Sequence, residues 1–453
     1  MTSATDPCLV RAAARAFTDA PALLGPDVRL SFRELDRLVD ARARSLAARG
    51  DSGNWVMHRA TPAASSLIEF FALLRAGFNV LPVNPALPAQ ALSRLIERQG
   101  IAHCADAHAD AARGQPNASA EADRNGPQTG ELPAPAPLTG MLTSGSTGEP
   151  KLAVHNSRHH VLSAEGFAAA IPLGPGDRYL LALPWFHVGG LAILFRCLLH
   201  GAAIVLGGRA EDADFLRTMG ATHVSVVETQ LRRLLAAPDP LPRLRCLLLG
   251  GGPVRASVRN AALERGLPVW LSYGLTEMAS AVIAEDPDGR VHRLPHRECR
   301  IASDGEILVR GGTLCLGYLD RGTLVPATDP DGWFHTRDLG EWNTCGFRVI
   351  GRLDNRFISG GENVQPEAIE AVLREHPAIA EAVVVPRPDD EFGQRPVAFL
   401  DCIGEIREDA LRDWLRSRLN PWLLPVAFRS LPRNDGMKIR RADLLRLAAQ
   451  PEP

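Results

Sequence analysis

The chain has 453 residues, which at about 150 residues per domain predicts two or three domains. It is 45% hydrophobic and 23% charged, ordinary values for a globular protein able to bury a sizeable core. Its formal net charge is -2, so no long-range field draws DNA, RNA or an anionic membrane, and nucleic acid is excluded as an expected partner. The first residues, MTSATDPCLVRAAARAF, lack the basic-then-apolar order of a secretory signal. Residues 62–83 read as an apolar helix, SLIEFFALLRAGF, leading into a strand, NVLPV. Ala105 to Pro137 is mostly Ala, Asp, Asn, Gly and Pro, which predicts a poorly ordered surface loop. From residue 138 to 273, apolar runs (YLLALP, AAIVLG, HVSVV, RCLLLG, PVWLSY) alternate with helical stretches, the pattern of α/β layering with buried, mainly parallel strands.

Val188 to Gly208 is long and apolar enough to raise the membrane question. Arg196 at its centre, with Gly201 and Gly208 breaking it, predicts a buried helix and a buried strand, with no membrane insertion. After residue 280 the strands shorten and turn signals multiply. From Asn355 a compact α+β pattern follows: a helix over Pro366–Glu375, strands EAVVVP and RPVAFL, a helix over Glu408–Leu419 and another near Arg441. The expected organisation is a large multi-layer N-terminal domain over 1–351, a hinge at 352–354 and a smaller α+β domain over 355–453. The eight cysteines show no C-x-x-C pair, which predicts reduced thiols in a cytoplasmic protein.

Of the 50 Lys and Arg residues, all are Arg except Lys151 and Lys438. Arginine is a planar fork, lysine a compact point charge, so the two lysines mark candidate sites that a fork does not fit. Lys151 closes the segment MLTSGSTGEPK, in which a strand enters a loop of hydroxyls and glycines. Such a loop turns backbone N–H groups and side-chain donors on phosphate oxygens, and the lysine neutralises charge at one point. It is not a Walker A loop, because the spacing G-x-x-x-x-G-K-[ST] is absent. Taken singly, Tyr273 reads as a core tyrosine, and Glu277 and Asp338 as solvated surface acids.

The loop resembles the phosphate loop of the adenylate-forming superfamily, and the superfamily's other motifs follow in order over the last two-thirds of the chain. The resemblance implies that Thr143, Ser144, Gly145, Ser146, Thr147, Gly148 and Lys151 hold the phosphates of ATP. Gly251, Gly252 and Pro253 in LGGGP would line the adenine, with Tyr273 and Gly274 of YGLTE. Thr276 would meet the phosphate and Glu277 would ligate Mg2+. Asp338 of TRDLG would hold the ribose, and Arg352 belongs to the same nucleotide set. Asp354 of GRLD would be the hinge, and Lys438 of GMKI the catalytic lysine of a mobile C-terminal domain. Both lysines therefore fall on motif positions that want a point charge.

LPWFHVGG resembles the superfamily segment that lines the acyl pocket. His187 is either a gate to a thiol channel or a core histidine. The stretches LPWFHVGG, YGLTEMAS, GRLDNRFISGGE and EFGQRPVA are similar to those of the subfamily that joins o-succinylbenzoate to CoA in menaquinone biosynthesis. That substrate keeps a second carboxylate, for which Arg196, with Ser225 as helper, is a candidate partner. The alternative for Arg196 is a structural ion pair. ATP, Mg2+ and CoA are the implied small molecules, and assembly into a homo-oligomer is left open. Another acyl- or aryl-CoA synthetase, or an adenylation enzyme that loads a carrier protein, shares the first half-reaction. His155, His159 and His160 have metal-like spacing, but no carboxylate accompanies them, so a solvated helix start is the expectation.

Overall fold

The computed structural model describes residues 8–48, 54–99, 101, 103–105, 139–143, 151–237, 243–344, 346–432 and 441–450. The loop expected before residue 138 lies almost wholly outside them. The described residues divide by contact into two units, one drawn from residues up to 299 with 309–334, the other from 300–308 and 335–450. The second unit takes in 335–351 as well as the stretch beyond the expected hinge.

In the first unit the alternating pattern becomes β1 (Thr139–Thr143), β2 (Lys151–His155), α1 (Ser157–Ala170), β3 (Arg178–Leu180), α2 (Val188–His200), β4 (Ala203–Val205), β5 (His223–Val226), β6 (Cys246–Leu249), β7 (Val269–Leu275), β8 (Ser280–Glu285) and β9 (Gly317–Asp320). A nine-stranded sheet has the order Val291–Arg293, β8, β7, β6, β5, β3, β4, Pro21–Gly25, Val28–Ser31. Its centre, from β7 to β4, is parallel, which explains why the strands read as unbroken apolar runs. A seven-stranded sheet has the order Thr323–Val325, β9, β2, β1, Asn79–Val83, Trp55–Arg59, His103–Ala105.

One core cluster takes Leu23, Ile204 and Leu248 from the first sheet, Val56, Val80 and Met141 from the second, and Phe167, Leu191 and Phe195 from α1 and α2. The two helices thus fill the layer between the sheets. Every residue of α2 from Gly190 to Leu198 is buried, as befits a helix apolar all round. It stops at Gly201, whose φ of 75° suits a left-handed cap and whose missing Cβ would lie 2.6 Å from the Phe17 ring. Among the described residues no helix is long and apolar enough to cross a membrane.

The start of α1 departs from expectation. His155, His159 and His160 are buried, not solvated. Asn156 and His159 form a reciprocal capping box, and the His160 ring stacks on Phe195 at 4.2 Å. The helix start faces the apolar interlayer, so these imidazoles act as aromatic packing, with hydrogen bonds from His159 to the neighbouring Asn156 and from His155 and His160 to the distant Thr276 and Thr139. Among the described residues no group of three or more His, Cys, Asp or Glu is arranged to hold a metal ion.

The second unit pairs Phe334–Asn343 with Gly346–Arg352. Beyond them come the helix Pro366–Glu375 and a three-stranded sheet of Ile379–Asp389, Gly393–Cys402 and Ala427–Ser430. The helix expected to reach Leu419 ends at Arg416, a few residues before Pro421.

Candidate active site

β1 and β2 form a hairpin with Thr143 opposite Lys151. The Thr143 hydroxyl donates to the Lys151 carbonyl at 3.4 Å. Ser144, Gly145, Ser146, Thr147 and Gly148 fall in the connection and lie outside the described residues, as does Lys438. Lys151 is exposed, and its Nζ stands 5.1 Å from the centroid of the Tyr318 ring. The Tyr318 hydroxyl donates to Oε1 of Glu277 at 2.6 Å. Lys151 and Glu277, the two charges expected at the phosphates, are thus joined through one tyrosine.

Glu277 sits in the short turn Thr276–Met278. His155 Nε2 donates to the Thr276 carbonyl at 2.8 Å, and the Cys315 N–H donates to the Glu277 carbonyl at 2.7 Å. Burial first, then the neighbouring His159, push His155 down to about 3, so its ring is neutral and keeps its Nε2 proton for that bond. The second carboxylate oxygen of Glu277 accepts no hydrogen bond from any described residue. A hard anionic oxygen left over in a nearly buried turn fits a magnesium ligand.

β6 and β7 run side by side and parallel; the Gly251–Pro253 motif follows the carboxyl end of β6 and the Tyr273–Glu277 motif spans the carboxyl end of β7, the edge at which open α/β sheets bind ligands. After β6, Gly251 has φ 84°, and Gly251, Gly252 and Pro253 are exposed. In β7, Tyr273 is half-buried opposite Ile283. A Cβ on Gly274 would lie 2.3 Å from the Ser280 carbonyl oxygen, so only glycine lets β7 and β8 close there.

His187 occupies the N-cap position of α2 and is exposed beside Phe186, so the core-histidine reading does not hold. Arg196 lies about 13 Å further along the same axis. It is 1% exposed. Its NH2 donates to the Ser280 hydroxyl at 3.0 Å, its NH1 to the Tyr179 hydroxyl at 3.4 Å, and its Cζ lies over the Phe167 ring, 3.7 Å from the centroid. Its Nε has no hydrogen-bond partner, and no carboxylate among the described residues pairs with it, so the structural-ion-pair reading fails. Tyr179 also bonds Ser225 at 2.8 Å, which brings the two predicted acyl-pocket residues into one chain of contacts. Burial above all pushes the Tyr179 phenol up to about 12, keeping it neutral.

Ser280 and Ala279 hold φ of 124° and 54°, strained values for residues with a side chain. Ser163 Oγ braces the turn by donating to the Ala279 carbonyl at 2.7 Å, and Arg297 donates to Ser163 Oγ at 2.9 Å.

In the second unit Asp338 and Arg352 pair at 2.8 Å. Arg352 also reaches Asp354 at 3.2 Å, and Arg337 holds the other oxygen of Asp354 at 2.9 Å. Sequence reasoning missed Tyr179, Tyr318, Ser280, His155 and Arg337. A signal existed for the tyrosines. The chain has 15 Phe but only three Tyr, and all three lie at this site.

The AMP-binding enzyme family matches residues 10–319, and the C-terminal domain of AMP-binding enzymes matches 368–435. The chain is 38% identical over 442 residues to the 2-succinylbenzoate–CoA ligase of Salmonella typhimurium, covering 94% of each. It is similar to the o-succinylbenzoate CoA synthetase of Bacillus subtilis in complex with the acyl-adenylate intermediate OSB-AMP, with TM-score 0.86, 29% identity and coverage of 97% of this chain and 98% of that one. It is likewise similar to that enzyme in complex with ATP and magnesium ion, with TM-score 0.85, 28% identity and coverage of 97% and 99%. With the family matched over most of its length and a relative of this identity spanning nearly all of it, the chain belongs to the AMP-binding enzymes.

Proposed function

We propose that this chain is a cytoplasmic ligase of menaquinone biosynthesis that converts o-succinylbenzoate, ATP and CoA to o-succinylbenzoyl-CoA, AMP and pyrophosphate. The observation that carries the choice of acid is Arg196. A guanidinium buried in an apolar helix without a carboxylate is costly unless an anion arrives to meet it. A substrate with a second carboxylate brings that anion, and the activities named for the relatives support the same acid.

In the first half-reaction a carboxylate oxygen attacks the α-phosphorus of ATP, the bond to the β-phosphate oxygen breaks, and pyrophosphate leaves. Thr143, the 144–148 loop and Lys151 neutralise the phosphates, and Lys438 stabilises charge at the reacting carboxylate and α-phosphate. Glu277 would hold Mg2+, which when bound offsets phosphate charge. Tyr273 and Gly251–Pro253 frame the adenine, while Asp338, aligned by Arg352, accepts from the ribose hydroxyls. In the second half-reaction the thiol sulfur of CoA attacks the acyl carbon and AMP leaves. His187, exposed at the mouth of α2, gates that thiol. Asp354 is the pivot on which residues 355–453 turn between the two steps.

A panel of acids with ATP and CoA, reading both AMP and thioester, tests the assignment. o-Succinylbenzoate should give the highest kcat/KM. A higher value for a monocarboxylic aryl or fatty acid would replace this substrate.

A further inference from the structure

Tyr318 has no motif role of its own, yet it touches both charges expected at the phosphates. β9 pairs antiparallel with β2, with Tyr318 opposite Ala153. Lys151, two residues before Ala153, shares its face of the strand, so the lysine is a diagonal neighbour of the tyrosine. The small Ala153 leaves the ring free to lie beneath the ammonium. From the other side the Glu277 carboxylate meets the phenol hydroxyl, and the Cys315 N–H ties the backbone of the same turn to the segment leading into β9. The position of Tyr318 is itself fixed, since a Cβ on the preceding Gly317 (φ 146°) would lie 2.2 Å from the Val325 carbonyl oxygen.

The consequence is electrostatic. An ammonium and a carboxylate that touch the same side chain attract, and a direct ion pair would consume the charge each needs for a ligand. Lys151 and Glu277 make no such pair here. The ring stands between them, its face holding one and its hydroxyl the other. The hydroxyl occupies Oε1 of Glu277 and leaves the second oxygen open.

We propose that Tyr318 is a positioning residue that holds Lys151 and Glu277 apart, reserving the ammonium for nucleotide phosphate and one carboxylate oxygen for a divalent cation. This rests on the reading of Lys151 and Glu277 given above. In that light Tyr318→Phe keeps the ring and loses only the hydroxyl, whereas Tyr318→Leu loses both contacts and lets the two charges meet.

The test is calorimetric binding of α,β-methylene-ATP to the full chain, with and without Mg2+, for wild type, both Tyr318 variants and Glu277→Gln. Tyr318→Phe should leave the metal-free affinity unchanged and cut the gain on adding Mg2+ by roughly tenfold, the scale of a lost hydrogen bond to a charged group. Tyr318→Leu should lower both. Glu277→Gln should abolish the gain. If Glu277→Gln abolishes the gain and Tyr318→Phe leaves it whole, Tyr318 has no positioning role, while Glu277 keeps its own. Equal loss of metal-free and metal-dependent affinity in Tyr318→Phe would mark a merely structural tyrosine and also overturn the proposal. A full gain in Glu277→Gln would remove the metal ligand, and with it both readings.

Discussion

Arg196 carries a positive charge into an otherwise apolar helix and meets only two hydroxyls and a phenyl face. Removing it should separate a specificity role from a fold role. Arg196→Leu should raise the Michaelis constant for o-succinylbenzoate by an amount equivalent to about 2–5 kcal/mol, the scale of leaving a buried anion unpaired. Activity on the uncharged analogue 4-phenyl-4-oxobutanoate should change little. The melting temperature should hold or rise, because an unpaired buried ion gives way to a packed side chain. Equal losses on both acids would take Arg196 out of the pocket. At this scale the sequence was informative where a residue type is scarce, and the two lysines point to the site by composition alone. The tyrosines follow the same logic, but their partners are distant in sequence. Tyr179 meets Arg196 across 17 positions and Tyr318 meets Glu277 across 41, and no local pattern displays such pairings.

The beginning of α1 concentrates buried imidazoles whose basicity is suppressed. Burial above all pushes His155 down to about 3, His159 to about 4 and His160 well below the usual imidazole range, with Arg158 adding to the effect at His159. Well above pH 6.5 neither the folded nor the unfolded chain protonates these rings. Below it the unfolded chain takes up protons that the native packing refuses, so stability falls as the pH falls from 6.5 toward 4. Each such histidine contributes a slope of up to about 1.4 kcal/mol per pH unit. Urea midpoints measured from pH 7 to 4 should show that decline, and His160→Phe, which keeps the stack on Phe195 and removes one of the three rings, should make it shallower. An unchanged slope in the variant would place the acid sensitivity elsewhere. Helices and buried strands were legible because their periodicity is local, as the agreement at α2 and at Pro366–Glu375 illustrates. The turn Thr276–Met278 was not, since it is held by His155, Cys315 and Tyr318 from other strands and loops.

Across the chain, the strands after residue 280 do not open a new unit at once: Ser280–Glu285 and Val291–Arg293 still belong to the nine-stranded sheet, and the contact boundary does not follow one point in sequence. Residues 300–308 join the second unit because Glu306 bonds both the His335 ring and the Arg337 backbone at 2.8 Å, links that span about thirty positions and leave no trace in composition. The proposed pivot is testable within that unit. Asp354 lies in the 3-10 turn Leu353–Asn355, a backbone region that proline shares. Asp354→Pro should therefore freeze that turn and release Arg337 and Arg352 from their carboxylate. Adenylation, read by pyrophosphate exchange, and thioester formation from preformed acyl-adenylate should then diverge in rate. Parallel losses, with an intact circular dichroism spectrum, would move the pivot elsewhere.

Lys151 stands exposed at the head of β2, and the chain offers one other ε-amine, at Lys438. A reagent that acylates primary amines finds, apart from the α-amine, only these two side chains among 453 residues. Elsewhere such reagents scatter over a protein surface. Here the targets coincide with the positions proposed to grip phosphate, so the extent of labelling becomes a direct gauge of nucleotide occupancy. The same scarcity gives a lysine-specific protease only two places to cut, one of them the bond between Lys151 and Leu152.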